Sequence, residues 1–163
     1  MKTSKLVQSA MFAAIVLLVT GFVKVPSPGN GYMHLGDAVI IAGAFLLGPS
    51  AAIPAAVGSA LADLLGGYGI FVPATLLVKG ALGFTAGWLY RKVGNRAIRA
   101  AGITCAELLF VLGGYFLYEW AVFDFAMAVI NSAFTFWQCV SGVVIGVIAA
   151  EVAARRKRPG FGK

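Results

Sequence analysis

Apolar residues fill this chain in long, nearly charge-free runs over 6–23, 37–47, 51–65, 71–90, 98–118 and 125–150, with polar residues gathered in the short stretches between them. A helix that crosses a bilayer uses about 20 such residues, and its backbone groups must bond within their own segment. The chain therefore reads as an all-α integral membrane protein, a single domain over 1–163 built as a bundle of six transmembrane helices. Composition agrees: hydrophobic types make up 60% and charged types 12% of the 163 residues, against roughly 45–50% and 25% in soluble domains. Six spans leave no room for a nucleotide-binding domain. The nearest approach to a phosphate-binding G-x-x-x-x-G-K-[ST] motif is Gly160-Phe161-Gly162-Lys163, which lacks the Ser or Thr. Work that needs energy must then draw on an ion gradient or on another subunit.

The net charge of +7 is concentrated in Lys2 and Lys5, in Arg91, Lys92, Arg96 and Arg99, and in Arg155, Arg156, Lys157 and Arg158. All of these flank apolar runs, where positive charge sets topology and meets anionic lipid rather than nucleic acid. Placing the three clusters on one side requires an even number of crossings before Arg91. The Gly48-Pro49-Ser50 turn must then separate two helices, and both termini are cytoplasmic. The first run is longer than a signal-peptide core and is followed by Lys24-Val25-Pro26-Ser27-Pro28-Gly29-Asn30-Gly31, a turn-forming loop rather than a cleavage site. The connections 24–36, 66–70 and 119–124 face outward. Cys105 and Cys139 sit inside apolar runs without ligand spacing to His34, so both read as small buried hydrophobes and no metal site is expected.

Ionisable groups inside a span are costly and mark sites by default. Asp37 opens the second run just after His34, where it reads as an N-cap that can also line a site. Asp63, with Ser59 one turn below, and Lys79, with Thr75 one turn above, are candidates for an ion pair across helices. Glu107 lies one turn in from the Arg99 end and reads as paired with the cytoplasmic loop. Met127, Asn131, Phe134 and Gln138 form one stripe on the sixth helix, facing Tyr115, Tyr118, Glu119 and Trp120. Interface aromatics account for Tyr118 and Trp120. Asn131, about two turns deep, needs a partner for its amide. The stripe and the outer loops outline an outward cavity for a small, flat, polar molecule. On the first helix, Ala10-x-x-x-Ala14, overlapped by Ser9-x-x-x-Ala13, forms a smooth strip that serves either internal packing or the docking of another membrane subunit.

Taken together, Met33-His34-Leu35-Gly36-Asp37-Ala38-Val39, then Gly58-Ser59-Ala60-Leu61-Ala62-Asp63-Leu64-Leu65 with Gly67-Tyr68, then Pro73 and Lys79-Gly80 resemble the S-components of energy-coupling factor (ECF) transporters. The likeness is to the branch for riboflavin-like, hydroxymethylpyrimidine or pyridoxine uptake. The resemblance implies a multi-pass subunit of a prokaryotic plasma membrane that binds a vitamin on the outer side, under a lid formed by the loop after the first helix. It implies delivery through an ECF module, a transmembrane coupling protein with two ATPases, so that ATP is used by the partners and this chain needs no cofactor. It makes Ala10 and Ala14 docking residues. It favours His34, Tyr68, Lys79, Tyr115, Glu119 and Asn131 as substrate contacts, beside Asp37, Asp63 and Phe134 from the reading of the spans. No arginine cluster is present for a strongly anionic substrate, so vitamin B6 or hydroxymethylpyrimidine comes first, with riboflavin or a thiamin-like compound next. The competing reading is a self-contained proton-coupled carrier using Asp63 or Glu107. It lacks the internal repeat such carriers typically show.

Overall fold

The structure, a computed structural model, describes residues 3–28 and 31–156. Lys2, the loop residues Gly29 and Asn30, and the tail residues Lys157, Arg158 and 160–163 lie outside the described residues. The elements run α1 (Thr3–Phe22), β1 (Lys24–Pro26), β2 (Tyr32–His34), α2 (Gly36–Leu47), α3 (Ala52–Leu65), α4 (Val72–Lys92), α5 (Arg96–Ala106), α6 (Gly114–Val122) and α7 (Phe125–Arg156), with a 3-10 turn at Gly48–Ala51. Five segments are long and apolar enough to cross a membrane: Thr3–Phe22, Gly36–Leu65, Gly69–Lys92, Arg96–Val122 and Phe125–Arg156.

The second segment is not one straight helix. Gly48 has φ 65 and ψ −151, a conformation that glycine reaches without a Cβ clash, and Pro49 follows it. Across this turn the chain reverses. Along α2, Asp37 meets Lys79 of α4 at one end and Gly48 meets Gly87 at the other, so α2 and α4 run in the same direction. Along α3, Ala51 lies beside Gly83 and Asp63 beside Thr75, which is the opposite direction. The helices approach closely because glycines replace side chains at the crossings: Gly43 faces the Phe12 ring, Gly58 the Ala13 carbonyl and Gly146 the Ala38 carbonyl. Phe12, Val16, Ile40, Ile41, Leu82, Ile103 and Val111 form the shared core. Large outward side chains such as Ile53, Leu77 and Leu109 stay exposed, which suits a surface that meets lipid rather than water.

Several expectations need correction. The 24–36 loop is not irregular: β1 and β2 pair as a short antiparallel hairpin, with Lys24 opposite His34 and Pro26 opposite Tyr32. The fifth run continues helically to Val122, so Glu119 lies on the last turn of α6 instead of in a turn. Between α5 and α6 the backbone widens into a π-helical stretch, Glu107–Gly113. Glu107, Val111, Tyr115 and Glu119 recur at four-residue spacing, which drifts around a 3.6-residue helix. The wider turn offsets that drift and lets all four point inward. Glu107 is fully buried rather than paired with the loop. Glu151 of α7 takes the arginines there instead, bonding Arg99 and lying 3.2 Å from Arg96. Cys139 is buried, but Cys105 is exposed on the outer surface of the bundle. On α1 the two overlapping strips part company: Ala13 packs at Gly58, whereas Ala10 and Ala14 are exposed.

The crossing of α4 with the 48–51 turn is the tightest of these contacts. A Cβ on Gly87 would lie 2.1 Å from the Gly48 carbonyl oxygen and 2.6 Å from the Pro49 nitrogen. Gly87→Ala must therefore push α4 off the turn, at a cost of about 1–3 kcal/mol. A thermal melt in detergent should show a Tm lower by roughly 3–10 °C. Gly21→Ala, where nothing lies within 4 Å of the new Cβ, should leave Tm unchanged or raise it.

Candidate functional site

The site starts from a buried ion pair. Asp37 is the second residue of α2, while Leu35 occupies the N-cap position without a side-chain cap bond. Asp37 therefore does not cap. At the positive end of the helix dipole, its carboxylate turns inward and accepts two bonds from Lys79 Nζ, at 2.6 and 2.9 Å, with both side chains 0% exposed. Gln138 Nε2 donates a third bond to Asp37 at 2.7 Å. Lys79 Nζ also lies 5.3 Å from the centre of the Tyr115 ring. The expected Asp63–Lys79 pair does not form, because Asp37 takes the ammonium.

Asp63, near the C-terminal end of α3, is held by hydroxyls. Thr75 Oγ1 donates to its Oδ2 at 2.5 Å, and the Tyr32 hydroxyl of the hairpin donates to Oδ1. Thr75 and Tyr115 share a further hydrogen bond at 2.8 Å. On the opposite wall the Glu119 carboxylate is hydrogen-bonded to the Asn131 side chain. Asn131 Oδ1 accepts from Ser27 Oγ at 2.7 Å. Gly31, whose Cβ would meet Ser27 Oγ at 3.2 Å, lets the hairpin lie this low.

Between these walls is a cavity of about 40 Å³ lined by Asp63, Glu119, Asn131 and Gln138, by the hydroxyls of Ser27, Thr75 and Thr135, and by the rings of Tyr32, His34, Phe71, Tyr115 and Phe134. None of the lining side chains is Lys or Arg. Of the expected contacts, His34, Asp63, Tyr115, Glu119, Asn131 and Phe134 come together here. Asp37 and Lys79 lie one layer behind, reaching the cavity through Gln138 and the Tyr115 ring. Tyr68 stands outside, its ring 4.5 Å from that of Tyr32, with Lys24 Nζ over both. Met127 of the stripe is not part of the lining. The stripe does identify Gln138. Ser27, Tyr32, Phe71 and Thr135 carry no periodic signal, since two lie in the hairpin, one in a 3-10 turn, and Thr135 is a neighbour of the stripe.

The hairpin is tied into this network at three points. Ser27 and Tyr32 provide two, and the His34 backbone N–H donates to Gln138 Oε1 at 3.2 Å as the third. His34 Nδ1 accepts the Gly36 N–H at 3.0 Å. Burial, reinforced by the Lys79 charge, pushes the His34 imidazole down to about 3, so it is neutral and packs as a ring. Burial, ahead of the nearby Asp63 carboxylate, keeps the Tyr32 hydroxyl protonated far above its ordinary range. It is therefore a donor.

A family model for the S component of ECF-type riboflavin transporters matches residues 1–155. The chain belongs to this family. It is thus the substrate-binding S component of an ECF-type vitamin transporter, a membrane transport subunit and not an enzyme. A protein of Pyrococcus woesei known only as an uncharacterized protein in a gap 3′ region is 33% identical over 133 residues, 80% of this S component and 88% of that relative. Among solved structures, the S component of a bacterial ECF transporter superposes with a TM-score of 0.70 at 21% identity, covering 96% of this chain and 97% of that one. The S component for biotin from an ECF-type ABC transporter follows at 0.62 and 19%, covering 98% and 94%. At those identities the likeness speaks for the fold.

Removing one partner of a buried ion pair leaves the other charge uncompensated, at about 3–5 kcal/mol. Lys79→Met should accordingly lower Tm sharply in detergent, whereas the double variant Asp37→Asn/Lys79→Met, which keeps an acceptor for Gln138, should recover most of the loss. A double variant no more stable than the single one would show that the charges do more than compensate each other.

Proposed function

We propose that this S component captures a small neutral aromatic vitamin or precursor of the vitamin B6 or hydroxymethylpyrimidine type in the cavity under the β1–β2 hairpin. One observation carries the reading: rings wall a space whose polar side chains are hydroxyls, two acidic groups and two amides, with no lysine or arginine among them. Such a lining bonds hydroxyls and ring nitrogens and repels phosphates and carboxylates. Riboflavin, the name the family carries, comes after the one-ring compounds in this reading. Tyr68 and Lys24 act from outside by holding the hairpin rather than the ligand.

Six helices cross the plasma membrane of a prokaryote in this reading, with both termini in the cytoplasm. Lys5, Arg91, Lys92, Arg96, Arg99, Arg155 and Arg156 belong to helix ends that gather on one side of the bundle. The site then lies at the opposite, outer side, and the hairpin is its lid. Transport proceeds on an ECF module of a coupling protein and two ATPases, so ATP is consumed by the partners. Ala10 and Ala14 face outward on α1 and offer that module a smooth contact strip. The self-contained carrier reading loses ground because Asp63 has both oxygens engaged by hydroxyls and Glu107 is sealed in the core.

Titration calorimetry with pyridoxine, hydroxymethylpyrimidine, pyridoxine phosphate and riboflavin tests the reading. A one-ring alcohol should bind tightest, and the phosphate ester at least about 100-fold more weakly than its alcohol, because its charge meets Asp63 and Glu119. Preferential binding of the phosphate, or of riboflavin alone, would contradict it. In the same preparation Ala10→Trp should retain binding and lose ATP-driven uptake once combined with an ECF module.

A further inference from the structure

The hairpin does more than cover the cavity: two of its hydroxyls bond the groups a ligand would need. Ser27 Oγ donates to Asn131 Oδ1 at 2.7 Å, and the Tyr32 hydroxyl donates to Asp63 Oδ1. Each acceptor is fixed in its role by a second bond. Asn131 turns its amide oxygen, which can only accept, to Ser27, and its side chain also interacts with Glu119. Asp63 uses its other oxygen on Thr75 at 2.5 Å. The cavity thus holds two acceptor-only positions on opposite walls, and in the structure both are filled by the chain itself.

The free space, about 40 Å³, is well below the roughly 150 Å³ that takes up a benzene molecule. A ring can enter only if something yields. Asp63, Thr75, Glu119 and Asn131 stand on long helices, while Ser27 and Tyr32 stand on a short two-stranded hairpin, so the hairpin is what moves. Its withdrawal strips Asn131 Oδ1 and Asp63 Oδ1 of their donors, and a buried acceptor left bare costs about as much as a lost hydrogen bond. A ligand without two donors cannot repair both.

We propose that Ser27 and Tyr32 are built-in stand-ins for two hydroxyl or amino groups of the ligand. They compete with it for Asn131 and Asp63, so the site selects rings that carry two separated donor groups. This rests on reading the cavity as the vitamin site. It differs from an ordinary lid, in which hairpin side chains add contacts to the ligand, and the two make opposite predictions. If the hydroxyls compete, removing them helps the ligand.

The test compares wild type, Ser27→Ala and Tyr32→Phe, each in the full chain, by calorimetric titration with pyridoxine and hydroxymethylpyrimidine. Each variant should bind about 3- to 10-fold tighter than wild type, the equivalent of one net hydrogen bond. Equal or weaker binding by either variant overturns the proposal. A wild type that binds neither probe refutes the vitamin reading itself. Amide exchange in the empty protein checks the premise: Met33 and His34 should exchange faster in both variants, and unchanged exchange would show that the two hydroxyls do not hold the hairpin and would overturn the proposal.

Discussion

The Asp37–Lys79 ion pair is the interaction on which the cavity-bearing half of the bundle depends. In a bilayer no water is at hand to solvate a stray charge, so the two must find each other, and their helices are held where they meet. Asp37 thereby fixes the start of α2 against α4, and through Gln138 it also fixes α7. Gln138 passes the constraint on. Its amide nitrogen is committed to the carboxylate, which leaves the oxygen for the His34 N–H of the hairpin. A pair that adds little net stability therefore determines how helices, cavity floor and lid register with one another.

A second chain of contacts closes from the other side. Lys79 lies against the Tyr115 ring, Tyr115 bonds Thr75, Thr75 bonds Asp63, and Asp63 bonds Tyr32 of the same hairpin. The hairpin is thus the meeting point of two polar paths that both begin at the ion pair. Opening it exposes acceptors, not merely apolar surface. The proposed preference against anions rests on the same arrangement, because Lys79 is spent on Asp37 and the acidic side chains Asp63 and Glu119, rather than basic ones, line the cavity.

Much of this was legible in the sequence, and the failures have physical causes. The apolar runs and the basic clusters announced the helices, and the parity of those clusters already required a reversal at Gly48-Pro49, where the chain does turn back. Of the residues singled out in the spans and the outer turn, Asp63, Tyr115, Glu119, Asn131 and Phe134 all line the cavity. What periodicity could not decide was pairing. The spacing offers Asp63 as the partner of Lys79 and leaves Asp37 as an N-cap, and it is the parallel course of α2 and α4 that brings Asp37 to the ammonium instead. Glu107 follows directly on the regular helix α5 and lies eight residues, more than two turns, beyond Arg99, too deep for the basic loop to reach, so it is buried in the core. The hairpin was missed because two three-residue strands around a proline-rich turn leave no alternating pattern, and with it went Ser27 and Tyr32.

The central claim is that the cavity selects an aromatic ring with at least two hydrogen-bond donors and no anionic group. The most direct measurement is mass-spectrometric identification of the small molecule that leaves the protein on denaturation after purification from cells. A one-ring heteroaromatic alcohol or amine released in stoichiometric amount is the predicted result. Stoichiometric release of a phosphorylated, carboxylated or purely aliphatic compound would contradict the account.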